Sequence, residues 1–289
     1  MSRIVAIVNQ KGGVGKTTSC INLAASMVLL EQKTLLIDLD PQANATTGSL
    51  LQRESISGTI AQALLGVTTA EDCIILTSGH YALIPSSEDL TQAEIQLLKK
   101  EWREYTLKKI LAPLLTSYDY IFLDCPPALS ILTVNALVAA TSVIVPVQCE
   151  YFALEGLSNL MNTLQSLRNT VNADLQIHGI LRTLFDSRNS LAQQISNELL
   201  IHFKDKLYNT IIPRNIRLAE APSHGQPALL YDANSTGSQA YVSLAKEILR
   251  RDGYSSPLTE SVMESAMPAT ALLKKRSKHK NSTLLEQVI

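Results

Sequence analysis

Residues 9–18 read NQKGGVGKTT, a run of lysine, threonine and glycine suited to holding phosphate. The ordinary phosphate loop is G-x-x-x-x-G-K-[ST]. Gly15, Lys16 and Thr17 fit its end, but the first glycine would fall on Gln10, and a second lysine, Lys11, follows. Gly12, Gly13 and Gly15 let the backbone turn tightly, and with Val14 they form the stretch expected to wrap the phosphates with N–H groups. A helix starting near Lys16 adds its positive end. Lys16 is expected to reach the β- and γ-phosphates, the Thr17 hydroxyl to ligate Mg²⁺, and Thr18 to bond the α-phosphate. The competing reading is a structural glycine turn. The apolar strand before the loop and the helical pattern after it argue against that.

Two acidic stretches extend this chemistry. YDYIFLDCPP (118–127) is an apolar strand ending in Asp124, where an acid holds Mg²⁺ through a water. Pro126 and Pro127 stiffen the turn after it, a switch that would report the γ-phosphate. LLIDLDPQAN (35–44) ends a second strand with Asp38 and Asp40. Ligands of open α/β sheets sit at the carboxyl ends of the strands, so these acids and the glycine loop are expected to converge. One lysine suffices to bind the phosphates in cis. A second would crowd the same charge or point away, which is useful if another subunit's nucleotide lies there, as with a cation supplied in trans. Lys11 thus suggests a nucleotide-sandwich dimer.

The elements that must position these residues follow from hydrophobic pattern. RIVAIV (3–8), TLLID (34–38), YIFLD (120–124), SVIVPV (142–147) and IHGILRTLF (177–185) read as strands buried on both faces, which suits a parallel sheet covered by helices. Helical patterns lie at 17–31, at 91–111 with a capping box Thr91…Glu94, and at 190–204 from Ser190…Gln193 with a core stripe of Leu191, Ile195, Leu199 and Phe203. A last helix, 238–251, repeats Tyr241, Leu244, Ala245 and Ile248 and stops at Gly253. The alternation predicts a doubly wound α/β fold with a mostly parallel sheet and helices on both faces, occupying residues 1–253 as one domain. Residues 254–289 turn Ser/Thr-rich and contain KKRSKHK (274–280). They read as a flexible tail whose charge serves solvation or a nucleic-acid or partner contact.

Composition narrows the function classes. The 289 residues carry a formal net charge of −1, so no global field favours nucleic acid or membrane, and any anion site must be local. Four scattered cysteines without a C-x-x-C pair argue against a disulfide framework or zinc site. The N-terminal apolar run is too short for a signal peptide, and no run approaches a membrane span. A soluble cytoplasmic protein is expected.

The glycine loop with Lys11 resembles the deviant Walker A box of the ParA/MinD group of P-loop ATPases. LIDLDPQANAT, FLDCPP, VPVQCEYFALEG, GILRTLFDSRNSL and IIPRNIRLAEAPSHGQPALLYD are closely similar to ParA/Soj-type partition ATPases, over about residues 2–250. The resemblance implies a slow Mg²⁺-dependent ATPase whose ATP-bound homodimer binds double-stranded DNA without sequence preference. A ParB-type partner would stimulate it, and it would be cytoplasmic and nucleoid-associated without stable membrane association. Carried over to this chain, Lys11 contacts the other subunit's nucleotide, Lys16 and Thr17 serve phosphate and magnesium, and Asp40 positions the attacking water. Asp38 and Asp124 lie around the magnesium shell, Pro213 and Asn215 frame the adenine, and Arg188 and Arg217 contact DNA. The chain starts at its first strand, which resembles the small class without an N-terminal helix-turn-helix.

Two other readings stay open. A MinD-like membrane-cycling ATPase needs a C-terminal amphipathic helix with large apolar residues, whereas the tail KKRSKHKNSTLLEQVI has no Phe or Trp and Glu286 interrupts its apolar end. A relative of nitrogenase iron protein needs cysteine ligands at the interface, for which Cys125 has only Cys149 as a mate. His224, in APSHG, reads as a nucleotide sensor or, more simply, as a loop histidine with a structural hydrogen bond.

Overall fold

The five apolar runs become neighbouring strands of one sheet. A computed structural model describes residues 2–50 and 56–254. The strands are β1 (Arg3–Ile7), β2 (Thr34–Asp38), β3 (Ile75–Leu76), β4 (Ala82–Ile84), β5 (Tyr120–Asp124), β6 (Ser142–Gln148), β7 (Gln176–Phe185) and β8 (Leu207–Pro213). They lie in the order β3-β4-β2-β5-β1-β6-β7-β8, and every pair is parallel except the edge pair β3–β4. From β1 the chain winds outward to one edge, returns to β5, and then winds the other way through β6. The carboxyl end of β1 is therefore where the strand order reverses, the place such sheets bind ligands.

The helices are α1 (Lys16–Leu29), α2 (Asn44–Ser49), α3 (Ile60–Leu65), α4 (Asp89–Leu97), α5 (Thr106–Leu111), α6 (Ile131–Ala139), α7 (Ala153–Thr170), α8 (Ser190–Phe203), α9 (Ile216–Glu220), α10 (Ala228–Tyr231) and α11 (Thr236–Arg251). Alternate strand residues feed two cores. Val5, Ile7, Leu36 and Phe122 pack with α1 and α11 on one face. Ile4, Ala6, Leu35 and Leu123 pack with α3 to α8 on the other. Burial on both faces explains why these strands read as continuous apolar runs. No helix among the described residues is long and apolar enough to cross a membrane.

The structure departs from the pattern reading in several places. The helix expected over 91–111 is two helices, because the chain turns at Trp102, which adopts a left-handed φ of 54°. Arg103 bridges the break by donating from Nη1 to the Leu98 carbonyl at 2.7 Å. α4 begins at Asp89, so Thr91 lies inside its first turn and makes no capping box with Glu94. α8 is capped by Asn189, whose Oδ1 accepts from the Leu191 and Ala192 N–H groups at 3.0 and 3.3 Å. That start turns Leu191 outward and puts Ala192 on the buried face with Ile195 and Leu199. Strands β3, β4 and β8 and helices α2, α3, α6, α7, α9 and α10 lie outside the expected elements; β3 and β4 are two and three residues long, whereas α7 runs 18 residues and buries Leu157, Leu160 and Leu164. α11 matches its expected stripe, and Gly253 ends it at φ 80°. The expected tail, including 274–280, lies outside the described residues except for Tyr254.

At the amino end of the sheet, Asp252 ties α11 to three strands. It accepts from the Tyr120 hydroxyl at 2.6 Å, meets His178 Nε2 at 3.1 Å, and pairs with Arg3 at 3.0 Å. Tyr208 closes this corner, stacked on His178 and covered by the Arg251 guanidinium 4.3 Å from its ring centre. Gly179 is required there, since a Cβ would overlap the Tyr208 ring. Gly179→Ala is expected to cost about 1–3 kcal/mol through overpacking. A lowered thermal midpoint in calorimetry checks this, with the carboxyl end of the sheet untouched.

Candidate nucleotide-binding site

The loop after β1 turns without the missing glycine. The Asn9 side chain makes an Asx-type turn, its Oδ1 accepting from the Lys11 N–H at 2.9 Å while its Nδ2 donates to the Pro146 carbonyl at 2.7 Å. Gly13 and Gly15 alone within the loop take left-handed backbone, at φ 74° and 85°, which explains why glycine is kept there and Gln10 is tolerated. The Val14 carbonyl is fixed by the Thr183 hydroxyl of β7 at 2.7 Å. α1 starts at Lys16 with no side-chain cap and no acid in its first turn. Its leading N–H groups and positive end are thus left for an anion.

These elements border a cleft of about 670 Å³. Gly12, Gly13, Gly15, Lys16, Thr17 and Thr18 form its floor. Asp40, Asn44, Thr47, Gly48, Pro127, Leu184, Pro222 and Ser223 also line it, with Pro222 packed close against Gly48. The convergence expected of the acids is present. Asp38 and Asp124 are register partners on β2 and β5, and Asp124 also pairs in register with Ile7 of β1. Both carboxyls are fully buried beneath the cleft, whereas Asp40 reaches its surface.

The buried acids differ in their partners. Asp38 is saturated: it accepts from the Asp40 N–H at 3.1 Å, the Thr46 N–H at 2.8 Å and the Thr46 hydroxyl at 2.7 Å. Thr46 in turn accepts from the Ser86 N–H, so Asp38 fixes the loop that carries Asp40. Asp124 has weaker support, a thiol contact from Cys20 at 3.5 Å and the nearby Thr17 side chain, and its Oδ2 has no hydrogen-bond partner. Burial pushes both carboxyls up, and Asp124 further, because it also feels the charge of Asp38. Burial lowers the Lys16 ammonium, opposed chiefly by Asp124. A buried, orphaned carboxylate oxygen behind Thr17 is the feature a hard cation would satisfy. Among the described residues no cluster of three or more His, Cys, Asp or Glu could hold a metal by itself. Carboxylate and hydroxyl oxygens completed by water and substrate phosphates are what Mg²⁺ uses, so the donor set fits that ion.

Lys16 donates to the Lys11 carbonyl at 3.2 Å. The Lys11 ammonium does not enter the cleft; it pairs with Glu150, just beyond β6. The remaining expected residues lie outside the cleft lining. Asn215 caps α9, accepting from the Arg217 N–H and donating to the Thr236 hydroxyl, both at 2.9 Å. Pro213 ends β8. Arg188 is exposed and held by both oxygens of Asp186 at 2.9 and 2.8 Å. Arg217 pairs with Glu220 at 2.8 Å and Asp232 at 3.3 Å. His224 lies against the Tyr231 ring. Cys125 and Cys149 are buried thiols, and burial raises both. Residue-type reading missed Asn9, Thr46, Glu150 and Thr183, since a single Asn, Thr or Glu signals nothing until its partner is known.

The family described as AAA domain matches residues 2–177. The chain is 47% identical over 258 residues to the chromosome partitioning protein ParA of Myxococcus xanthus, spanning 89% of this chain and 91% of that one. It is 46% identical over 249 residues to the sporulation initiation inhibitor protein Soj of Bacillus subtilis, spanning 86% and 98%. Among solved structures, cobyrinic acid a,c-diamide synthase from Mycobacterium smegmatis with bound ADP and magnesium matches at TM-score 0.77 and 33% identity, covering 88% of this chain and 96% of that one.

The raised carboxyls set a pH dependence. A folded-state pKa above the unfolded value gives stability that is complete below about pH 4 and is lost as pH rises through the raised values. The metal-free protein is therefore expected to lose thermal stability from about pH 5 to about pH 9, and Asp124→Asn to flatten that slope. Binding of Mg²⁺-nucleotide should release protons in the parent and fewer in the variant, measured calorimetrically in buffers of different ionisation enthalpy.

Proposed function

The chain belongs to the ParA/Soj family of chromosome-partitioning ATPases, and on that premise we propose that it is a Mg²⁺-dependent DNA-partition ATPase working as an ATP-bound sandwich dimer. The observation that carries this reading is Lys11. Its backbone belongs to the phosphate loop, yet its ammonium leaves its own cleft. A lysine so placed serves a second copy's nucleotide better than its own.

Each residue then has a task. Gly12, Gly13, Val14 and Gly15 offer backbone N–H groups to the phosphates, and Thr18 offers its hydroxyl. Lys16 leaves the Lys11 carbonyl for phosphate oxygen, a stronger, charge-assisted acceptor. Thr17 and Asp124, with Asp38 behind, would hold Mg²⁺, which when bound neutralises phosphate charge during hydrolysis. Asp40, at the cleft surface, orients the attacking water. Lys11 from the other copy stabilises charge on the transferring phosphoryl group in trans. Pro213 and Asn215 frame the adenine edge. Their engagement as strand end and helix cap makes them a rigid frame more than a source of free hydrogen bonds.

DNA contact falls to Arg188 and Arg217, each of which must exchange an acidic neighbour for phosphate. Dimerisation doubles both, and a ParB-type partner would speed hydrolysis and release the dimer. No large aromatic residue lies in the basic C-terminal stretch, which disfavours a membrane-cycling role.

Lys11→Ala is expected to keep monomer nucleotide affinity while losing the ATP dimer, with turnover lowered at least about tenfold. Sedimentation and phosphate release measure both, and retained turnover would remove the trans role. Asp40→Ala should instead leave a long-lived ATP dimer that still binds DNA. The deciding experiment is binding to random-sequence duplex with ATP, with ADP and without nucleotide over a salt series. Tight binding only with ATP, weakening by roughly one unit of log slope per phosphate contact, is expected. Binding indifferent to nucleotide, or none, would overturn the proposal.

A further inference from the structure

Residue 11 is held at three points, each by a different neighbour. Its N–H donates to Asn9 at 2.9 Å, its carbonyl accepts from Lys16 at 3.2 Å, and its ammonium pairs with Glu150. Asn9 is itself anchored to β6 through Pro146, and Glu150 lies two residues beyond the end of β6. The start of the phosphate loop is thus strapped to β6 twice, once by a neutral amide and once by an ion pair. Glu150 is fixed in a turn of its own: its N–H donates to the Gln148 carbonyl and its carbonyl accepts from Ala153, the first residue of α7, both at 2.9 Å. Beside it Tyr151 and Phe152 stand largely exposed, packed edge to face at 5.0 Å.

We infer that Glu150 is a positioning residue for Lys11, holding its ammonium in cis on the rim of the cleft until a second copy's nucleotide replaces the carboxylate. This rests on the trans role of Lys11 proposed above. The strength of the pair suits the task. Both side chains are about half exposed, 46% and 48%, so the pair is screened by solvent and is broken cheaply. It keeps Lys11 ordered and directed away from its own phosphates. Nucleotide entry loosens the arrangement from behind, because Lys16 exchanges the Lys11 carbonyl for phosphate. The phosphates of a facing copy then offer Lys11 a more highly charged partner than one carboxylate. Glu150 so sets how much of the dimerisation energy goes into freeing Lys11.

An exposed ion pair shifts an equilibrium by about 1.4- to 5-fold, and a symmetric dimer must break two, so Glu150→Gln is expected to tighten ATP-dependent dimerisation by about 2- to 30-fold. Sedimentation of the full chain with a non-hydrolysable ATP analogue reads this. In the Lys11→Ala background, which is expected not to dimerise, the same substitution should restore nothing, and an ATP dimer recovered in Lys11→Ala/Glu150→Gln would show that Glu150 acts without Lys11 and overturn the inference. Weaker dimerisation of Glu150→Gln would overturn the inference and make Glu150 a contact of the dimer itself. Acylation of Lys11 in the nucleotide-free protein, followed by peptide mass spectrometry, tests the pair without any dimer. Faster labelling of Lys11 in Glu150→Gln, against an unchanged rate at Lys99, is expected, and equal rates would overturn the inference. A parent chain that stays monomeric with the analogue would overturn the sandwich dimer, and with it the release step, while the labelling still reports whether Glu150 holds Lys11.

Discussion

Two carboxyl groups buried side by side are the constraint around which this molecule is arranged. Parallel pairing of β2 with β5 sets Asp38 opposite Asp124, and pairing of β5 with β1 brings both under the phosphate loop. Neither acid can reach bulk water. Burial of two like charges is unfavourable unless each finds compensation. Asp38 finds it within the protein, in Thr46 and the Asp40 N–H. Asp124 finds less, in Thr17 and Cys20, and its Oδ2 is left without a hydrogen-bond partner. The sheet therefore stores a local electrostatic deficit that cation and nucleotide together can relieve. Binding and stability are linked through one residue.

The same site carries excess positive charge held in reserve. Lys16 rests on a backbone carbonyl and Lys11 on a surface carboxylate. Both are provisional partners, weaker acceptors than a triphosphate. On the proposed roles, Lys16 exchanges one acceptor when phosphate enters the cleft and Lys11 exchanges another when two copies meet. The left-handed Gly13 and Gly15, the Asx turn at Asn9 and the Thr183 brace on Val14 keep the loop open while they do so. The arrangement is pre-organised in its backbone and exchangeable in its side chains.

Away from the cleft, the structure is conservative. α1 is buried on nearly all sides, wedged between the sheet and α11, so the helix that presents Lys16, Thr17 and Thr18 cannot tilt without disturbing a core. At the far end of the sheet the Asp252 cluster fastens α11 to β1, β5 and β7. The helix behind the phosphate loop is thus packed against a second helix that is itself fastened to the sheet. That confines adjustment to the loops at the strands' carboxyl ends, where Pro127, Leu184 and Ser223 border the cleft.

The sequence by itself determined the phosphate chemistry, the class of fold and the convergence of Asp38, Asp40 and Asp124. Those features depend on local order: a loop between a strand and a helix, acids at strand ends, and apolar runs long enough to mark strands covered on both faces. The short edge strands β3 and β4 and the break at Trp102 were not legible, because two- and three-residue strands have no period to read and a left-handed Trp follows no propensity. Only the tertiary structure decided which acid is satisfied and which is orphaned, since Asp38 and Asp124 look alike in sequence and differ only in what folds against them. It likewise decided that Lys11 rests on Glu150, 139 positions away, that Asn9 replaces the absent glycine by holding β6, and that Arg188 and Arg217 already have acidic partners. Partners distant in sequence are chosen by strand order, and strand order is fixed by the packing of the whole sheet.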